Sequence, residues 1–481
     1  MIAEALAGLV FLPLLAACAV VVLPRRMLAL PALLGLLPLP LLLAPIVIEV
    51  ASVGEVLMPI AGFDRPLGIV WRVDPLAATL LGLNAVIGIA IGAYAAAGQP
   101  PASEAGRRFW SLWLLLIAGM NALLLSADLF NLFVTLELVT LSAVGLLVLE
   151  GKPAALRAAM RYLLLALLGS LAYLLGVALV YGQAGTLDLY QAGELLDATL
   201  LPLTALVLMT VGLLLKSAIF PLHGWLPAAH GNAPGPVSAV LSAMVVKVSL
   251  YLVWRLWFWL AADWSLGWAP VLLGALGAGA ILYGSVLALL QARLKMMIAY
   301  STVAQLGYLM LAFPLLGAVG FGAATYHLLS HGLAKAAMFL AAANLQRGFG
   351  SDRLADLRGA DRRLPIEVFT LALAGISILG LPPSGGFVAK WLLLQAAWAQ
   401  DGWVWIAVIL VGGLLAAAYL FGPLAALTAR PPAEPQTNAA EPRRAASIIA
   451  LLLAFAALVA GFVPAPILAF LAGGTPPGVI P

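Results

Sequence analysis

Residues 200–228 read LLPLTALVLMTVGLLLKSAIFPLHGWLPA, an apolar run that contains a lysine and is interrupted by prolines. A helix needs about 20 apolar residues to span a bilayer, and a proline inside it removes one backbone hydrogen bond. In lipid, the freed carbonyl is tolerated only where protein or water compensates for it. The stretch therefore predicts a transmembrane helix that is broken at Pro221 and Pro227, with Lys216 beside the break.

The whole chain has the same apolar character. Of its 481 residues, 64% are hydrophobic and 9% are charged, and the mean hydropathy is +1.10. An average soluble domain is closer to half apolar and a quarter charged. The composition excludes a soluble fold of this size and indicates an integral membrane protein. Because Glu4 stands where a signal peptide would be positively charged, the first apolar run is interpreted as a retained helix.

Fourteen apolar runs of spanning length follow one another along the chain. They predict an all-α polytopic membrane protein with 14 transmembrane helices. The runs lie at residues 2–23, 28–49, 74–97, 108–126, 128–149, 157–181, 200–228, 236–260, 268–290, 295–314, 317–345, 366–399, 403–428 and 446–472.

The placement of basic residues agrees with this number. The loops that follow odd-numbered runs hold 17 of the 24 lysines and arginines. The other loops hold Arg65 and Arg72, with Arg255 near a helix end on that side, and are otherwise mostly acidic. Basic loops face the cytoplasm, so both termini are expected on the outer (periplasmic) side of a bacterial-type inner membrane. The basic residues of the odd loops are Arg25, Arg26, Arg107, Arg108, Lys152, Arg157, Arg161, Arg293, Lys295, Arg347, Arg353, Arg358, Arg362, Arg363, Arg430, Arg443 and Arg444.

A second broken run suggests an internal repeat. The twelfth run is interrupted at Pro382 and Pro383, five runs after the break in the seventh. Broken helices at matching places in two halves often mark a transport site. We expect two five-helix repeats, helices 4–8 and 9–13, with the second inverted because the repeat length is odd. The predicted parts are 1–97 (helices 1–3), 108–261 and 268–428 (the repeats) and 446–472 (helix 14).

Only lysines remain as basic residues inside the runs, and each is costly in a bilayer. Lys216 either caps carbonyls of its broken helix or releases and regains a proton. Glu137, the one carboxylate near the middle of a run, would form a static or a switchable ion pair with it, and we favour the switchable pair. The interior lysines are Lys216, Lys247, Lys335 and Lys390.

The eleventh run carries three polar groups at helical spacing. His327, His331 and Lys335 stand at i, i+4 and i+8 and so share one helix face. A proton relay is favoured over polar helix packing, and metal or haem ligation is disfavoured because no Cys or acidic partner is near. We expect no metal and no cofactor. His223 and His230, near the end of the seventh run, are candidate access residues between the interior and bulk water, with a purely structural role as an equal alternative.

Six motifs in order together resemble one family. They are DLFNLFVTLE, KSAIFPLHGWLPAAH, GPVSAVLSAMVVK, LKMMIAYSTVAQLGY, HLLSHGLAKAAMFL and GLPPSGGFVAKW. Residues 70–430 are similar to the antiporter-like subunits of respiratory complex I, membrane-bound hydrogenases and Mrp-type cation/proton antiporters. The resemblance implies 14 helices, inverted repeats and a central polar axis.

The resemblance also assigns roles. It implies that Glu137 pairs with Lys216, that Lys247 is the eighth-helix lysine, and that Lys390 is the twelfth-helix lysine. His331 matches the histidine region of the eleventh helix. A lysine at position 390, where one complex I subunit type has glutamate, argues against that type. The motifs look most like the D-type subunit of the Mrp antiporters.

We therefore expect a non-catalytic, proton-translocating subunit of a multisubunit Na⁺/proton antiporter, with other membrane subunits as partners. Protons would pass along Glu137, Lys216, Lys247, the His327/His331/Lys335 face and Lys390. One alternative is a proton-pumping N-type subunit of a complex I-like NADH:quinone oxidoreductase or of a membrane-bound hydrogenase. Another is a carrier that works alone. Scattered basic residues give no sign of nucleic-acid binding.

Overall fold

A computed structural model describes residues 1–63, 68–98, 103–430 and 441–479. Arg65, which contributed to the charge pattern, lies outside the described residues. The chain is a mostly helical polytopic membrane protein, as the composition predicts. Within the described residues, ten helices are long and apolar enough to cross a membrane, or eleven if one pair bent by 70° counts as a single span.

The N-terminal part consists of helices and one small hairpin. The helices are α1 (Ile2–Val22), α2 (Ala29–Leu36), α3 (Leu39–Val53) and α4 (Pro75–Gly98). Between α3 and α4, strands β1 (Val56–Pro59) and β2 (Val70–Val73) pair antiparallel, with Val56 opposite Val73. The hairpin was not predicted, because it is short and lies between two apolar runs.

The remaining helices follow in two groups. Up to residue 260 they are α5 (Glu104–Leu125), α6 (Leu129–Leu147), α7 (Pro153–Ala184), α8 (Leu189–Leu195), α9 (Leu200–Lys216), α10 (Leu226–Asn232), α11 (Gly235–Val240) and α12 (Val246–Arg255), with π-helical turns at Leu241–Val245 and Leu256–Leu260. Beyond it they are α13 (Trp268–Leu289), α14 (Leu294–Met310), α15 (Ala318–Phe349), α16 (Ala360–Arg363), α17 (Pro365–Leu379), α18 (Gly385–Ala399), α19 (Trp403–Thr428), α20 (Arg444–Val459) and α21 (Pro464–Ala472).

Both of the runs that the prolines were expected to interrupt are interrupted. Between α9 and α10, the chain leaves the helix after Lys216, and Pro221 lies in the gap. Between α17 and α18, Pro382 and Pro383 lie in the gap. Pro227 does not break a helix: it is the second residue of α10, where the missing N–H would have had no intrahelical partner anyway.

Two predicted runs have different shapes from those expected. The run 28–49 lies in one span, Arg25–Val53, in which a short turn separates α2 from α3, and the run 446–472 is bent by 70° between α20 and α21. The bend between α20 and α21 occurs just before Pro464, the first residue of α21. A proline starts a helix more easily than it continues one.

Glycines allow two helices of the first half to approach closely. A Cβ on Gly169 of α7 would lie 2.7 Å from the carbonyl oxygen of Gly212 on α9. Small residues of this kind let membrane helices pack backbone against backbone. The segment 235–260 and α15 are the most enclosed, whereas α19 faces mainly outward. Side chains on 235–260 and α15 are therefore the ones best shielded from lipid and water.

Candidate functional site

The Glu137–Lys216 ion pair lies between α6 and the end of α9. Lys216 Nζ donates to Glu137 Oε1 at 2.8 Å and to Thr140 Oγ1 at 3.0 Å, and Ser170 of α7 also donates to Glu137 Oε1. The lysine side chain is 4% exposed and the glutamate side chain 18%. The pairing is the one that the sequence suggests. Lys216, the last residue before the helix break, is therefore neutralised by a carboxylate and does not cap free carbonyls of the described residues.

Lys247 is fully buried and bonds to its own helix. Its Nζ donates to the carbonyl oxygens of Ser242 at 3.1 Å and Ala243 at 2.9 Å. Both carbonyls belong to the π-helical turn just before α12, and such turns disturb the regular hydrogen-bond ladder. No carboxylate of the described residues lies within 4.0 Å of this ammonium. Ser242 also contacts Thr302 at 2.9 Å, which links this turn to α14.

Three polar side chains follow one another along α15, at the positions singled out in the sequence. The rings of His327 and His331 are stacked, with centroids 5.7 Å apart. Both are buried, and neither nitrogen of His331 has a hydrogen-bond partner within the described residues. Lys335 donates to the carbonyl of Ile298 at 3.0 Å and to the hydroxyl of Ser301, both on α14. The two histidines therefore lie together, while the lysine is held by the neighbouring helix.

Lys390 caps the first half of the second broken run. Its Nζ donates to the carbonyl oxygens of Ile378 at 2.8 Å and Leu379 at 3.1 Å, the last two residues of α17. Helix C-termini carry partial negative charge, so a cation is favoured there. The same ammonium lies 4.6 Å from the centroid of the Tyr308 ring. Carbonyl capping, an option considered for Lys216, is thus found at Lys390.

The two proposed access histidines differ in burial. His230 is fully buried and stacks on Phe339 with ring centroids 4.5 Å apart. His223 is 9% exposed and packs against Phe220 and Tyr283. Of the two, His223 therefore touches the surface, and the role of both as access residues stays a prediction. Within the described residues, no three His, Cys, Asp or Glu side chains come together as metal ligands.

A buried ion pair was not predicted from the sequence. Arg255 was assigned to a loop-facing helix end, yet it is buried and binds Asp74 through two hydrogen bonds of 2.5 and 2.6 Å. Burial raises the pKa of Asp74, but the charge and hydrogen bonds of Arg255, together with the Ala77 N–H and the charge of Arg72, outweigh burial and hold that pKa below its ordinary value. The guanidinium also lies 4.1 Å from the Trp259 ring centroid. No local pattern indicates this pair, because its members are 181 positions apart.

A second buried carboxyl, Glu367, was not predicted either. It lies in the first turn of α17, is 2% exposed, and accepts hydrogen bonds from Asn344 at 3.2 Å and from Ser447. A glutamate at a helix start is usually a solvated end group, so its position in the sequence does not single it out.

Comparisons with known proteins identify a family and two similar chains. Residues 126–416 match the family described as "NADH:quinone oxidoreductase/Mrp antiporter, TM". The N-type subunit of NADH-quinone oxidoreductase from Desulforudis audaxviator is 36% identical over 75% of this chain and 73% of its own length. The D-type subunit of the Na(+)/H(+) antiporter from Alkalihalophilus pseudofirmus is 29% identical over 80% and 78%.

A solved structure extends the similarity to nearly the full length. A chain of the Mrp complex from Dietzia sp. DQ12-45-1b superposes with a TM-score of 0.89 at 25% identity, covering 98% of this chain and 96% of that one. The family match alone covers more than half of this sequence, and it includes the segments that carry Glu137, Lys216, Lys247, His331 and Lys390. The chain belongs to the NADH:quinone oxidoreductase/Mrp antiporter transmembrane family.

Proposed function

We propose that this chain is the proton-translocating subunit of a multisubunit monovalent cation (Na⁺)/proton antiporter. The Glu137–Lys216 ion pair, in which the lysine is buried and the glutamate partly buried, carries the proposal. An ion pair between two helices in a low-dielectric interior is strongly coupled: when it opens, each group loses the partner that favours its charged form. Opening and closing the pair therefore changes the proton occupancy of its members.

The remaining interior groups provide the route in this proposal. Protons pass from Lys216 to Lys247, then to the His327/His331 face and Lys335, and then to Lys390. The four lysines are buried, and the hydroxyl groups of Ser242 and Thr302, 2.9 Å apart, provide polar atoms between α14 and the turn that precedes Lys247. His223 and His230 connect the route to bulk water in this scheme.

The proposed topology has 14 crossings, with inverted repeats of helices 4–8 and 9–13 and both termini on the outer side. It treats α9 with α10 and α17 with α18 as two broken spans, in each of which a non-helical stretch separates the two helices. The 17-residue helix α14 and the bent α20–α21 pair complete the number. The parts 1–97, 108–261, 268–428 and 446–472 are the corresponding units.

Vesicle exchange assays test the proposal. The native complex is purified, its subunits are identified, and pH-gradient-driven flux of Na⁺, K⁺ and Li⁺ is measured for wild type, Glu137→Ala and Lys216→Ala. Both variants should lose cation/proton exchange. Lys152→Ala, which removes an exposed lysine paired with Glu150, is the control and should keep it. Intact exchange in either interior variant contradicts the mechanism.

A second candidate is the proton-pumping N-type subunit of a complex I-like or hydrogenase assembly. It is favoured by the relative with 36% identity, which is named as the N-type subunit of an NADH-quinone oxidoreductase. The same interior route would serve, with redox chemistry in partner subunits. Co-purification of iron–sulfur subunits would favour this candidate; antiporter subunits without them favour the first.

A further inference from the structure

Glu367 is the centre of a buried polar cluster that lies apart from the Glu137–Lys216 pair. Its Oε1 accepts hydrogen bonds from the Asn344 amide at 3.2 Å and from the Ser447 hydroxyl. Tyr94 donates to Asn344 Oδ1 at 2.6 Å, which turns the NH₂ group of that amide toward the glutamate. The four residues come from α4, α15, α17 and α20. We call them the Glu367 cluster.

No direct cation partner neutralises this carboxyl. Among the described residues, no basic side chain lies within 4.0 Å of Glu367, in contrast to Glu137 and Asp74. On α15, the charged residue that faces the cluster is Arg347. Its guanidinium lies beside Gly98, the last residue of α4, and its charge acts on Tyr94. Arg363 precedes α17, and Arg443 and Arg444 stand exposed at the start of α20. From α4, Tyr94 is the titratable group that faces the cluster.

The hydrogen-bond partners of Glu367 suit both charge states. A serine hydroxyl can donate to a carboxylate or accept from a carboxylic acid, and the Asn344 amide can donate to Oε1 whether or not that oxygen carries the proton. A Lys or Arg partner would favour the anion alone. Glu367 can therefore gain or lose one proton while keeping both hydrogen-bond partners, whereas a buried carboxyl without partners would be costly.

The cluster lies between a polar loop and Lys390. Glu367 is the third residue of α17, directly after the charged segment 351–363. Ten residues further along α17, about 15 Å at 1.5 Å per residue, the Ser377 hydroxyl contacts that of Ser330 on α15 at 2.7 Å. Ser377 immediately precedes Ile378 and Leu379, whose carbonyls hold Lys390. The buried Thr370 lies one turn after Glu367 on the same helix.

We propose that Glu367 is a proton-binding residue that exchanges protons between the 351–363 side of the membrane and Lys390, along the contact between α15 and α17. This rests on the proposed function in that Lys390 is treated as part of the proton route. The path bypasses the Glu137–Lys216 pair and gives the second half of the chain its own connection to bulk water. The step is a simple proton transfer: the carboxyl takes a proton from water and passes it on through hydroxyls and water.

Infrared difference spectroscopy of the native complex tests proton binding directly. Spectra at two pH values should contain a carboxylic C=O stretch that is lost in Glu367→Gln. The band should shift in Ser447→Ala, which removes one hydrogen bond but keeps the carboxyl. Glu150→Gln, which replaces an exposed glutamate, should leave the band unchanged. A spectrum of folded Glu367→Gln identical to that of wild type at every pH overturns the proposal, as does a band unaffected by Ser447→Ala.

Exchange assays separate this inference from the proposed function. Glu367→Gln should slow cation/proton exchange and change its pH profile, whereas Ser447→Ala should change the profile less. If Glu137→Ala abolishes exchange and Glu367→Gln leaves rate and profile unchanged, the proposed function stands and this inference fails. If Glu137→Ala keeps exchange while the infrared band is lost in Glu367→Gln, the proposed function fails and proton binding at Glu367 stands.

Discussion

Asp74 and Arg255 form a buried, two-point ion pair, with Nη1–Oδ2 and Nη2–Oδ1 distances of 2.5 and 2.6 Å. Asp74 also accepts from the backbone N–H of Ala77 at 2.9 Å and so caps α4. Tyr190 of α8 lies 3.3 Å from the same guanidinium. One ion pair thus joins the beginning of α4, the end of α12 and the short helix α8.

Arg255→Ala should destabilise the protein strongly, because Asp74 is then left buried without its cation. Removing one partner of a buried pair typically costs about 3–5 kcal/mol. Thermal unfolding of the complex in detergent measures the loss. The double variant Asp74→Asn/Arg255→Ala should recover part of it, since no charge remains buried; a double variant less stable than Arg255→Ala would contradict this.

The same ion pair should make stability depend on pH. Because the pKa of folded Asp74 lies below its ordinary value of 3.8, the pair stabilises the folded state above that value. The contribution is lost as the pH falls through the pKa of the folded state. In Arg255→Ala, the cost of substitution should therefore shrink in acid as Asp74 takes up a proton. Melting temperatures of both proteins across acidic pH check this; a difference independent of pH would speak against the pair.

Thr140→Val should remove one hydrogen bond of the Lys216 ammonium and leave its ion pair with Glu137 in place. The variant deletes the hydrogen bond of 3.0 Å from Lys216 to Thr140, and a bond to a charged group contributes about 1.5–3 kcal/mol. We expect a changed pH profile of cation/proton exchange with exchange retained. Thr135→Val is the matched control, since Thr135 lies on the same helix and bonds only to carbonyls of its own helix. Equal effects of the two variants would remove any special role of Thr140.

Lys390→Met should abolish exchange while lowering stability only modestly. Methionine keeps most of the side-chain length but cannot donate to the carbonyls at the end of α17. A cation at a helix C-terminus contributes about 0.3–2 kcal/mol, so the fold should survive. Vesicle exchange and thermal unfolding are measured together, with Lys152→Met as the exposed control. A variant that unfolds at the wild-type temperature and exchanges at the wild-type rate would exclude Lys390 from the route.

Gly212→Ala should force α7 and α9 apart. The added Cβ would meet the carbonyl oxygen of Gly169 and the backbone of Tyr173, and overpacking of this kind costs about 1–3 kcal/mol. Because α9 ends at Lys216, the displacement should also reduce exchange. Gly182→Ala on α7 meets no atom within 4 Å and is the control. Similar melting temperatures for both variants would show that the close approach is unimportant.

The helices and the polar residues inside them could be predicted from sequence because lipid imposes strict local rules. Apolar run length indicated the helices, and the scarcity of charge made Lys216, Lys247, Lys335 and Lys390 conspicuous. The spacing of His327 and His331 predicted their shared face, and their rings do stack. The prolines indicated both interrupted runs, although Pro227 starts a helix instead of breaking one.

Contacts between distant segments could not be predicted in the same way. Arg255 looked like an interfacial charge because its partner, Asp74, belongs to a different helix. The sequence does not single out Glu367, because Asn344 and Ser447, which bind it in the interior, come from other helices. The bend before Pro464 was missed for a related reason: a proline fits the first turn of a helix as well as it ends one.

Composition and run length alone are enough to show that this protein is a bundle of membrane helices with Glu137, Lys216, Lys247, Lys335 and Lys390 inside the spans, because lipid penalises unsatisfied backbone and unpaired charge at every position. What each of those groups binds depends on the tertiary fold. Lys216 has a carboxylate and Lys390 has the carbonyls of a helix end, yet both are lysines beside a broken helix. Their partners differ because different helices pack against them, and helix packing is set by contacts between residues far apart in the chain.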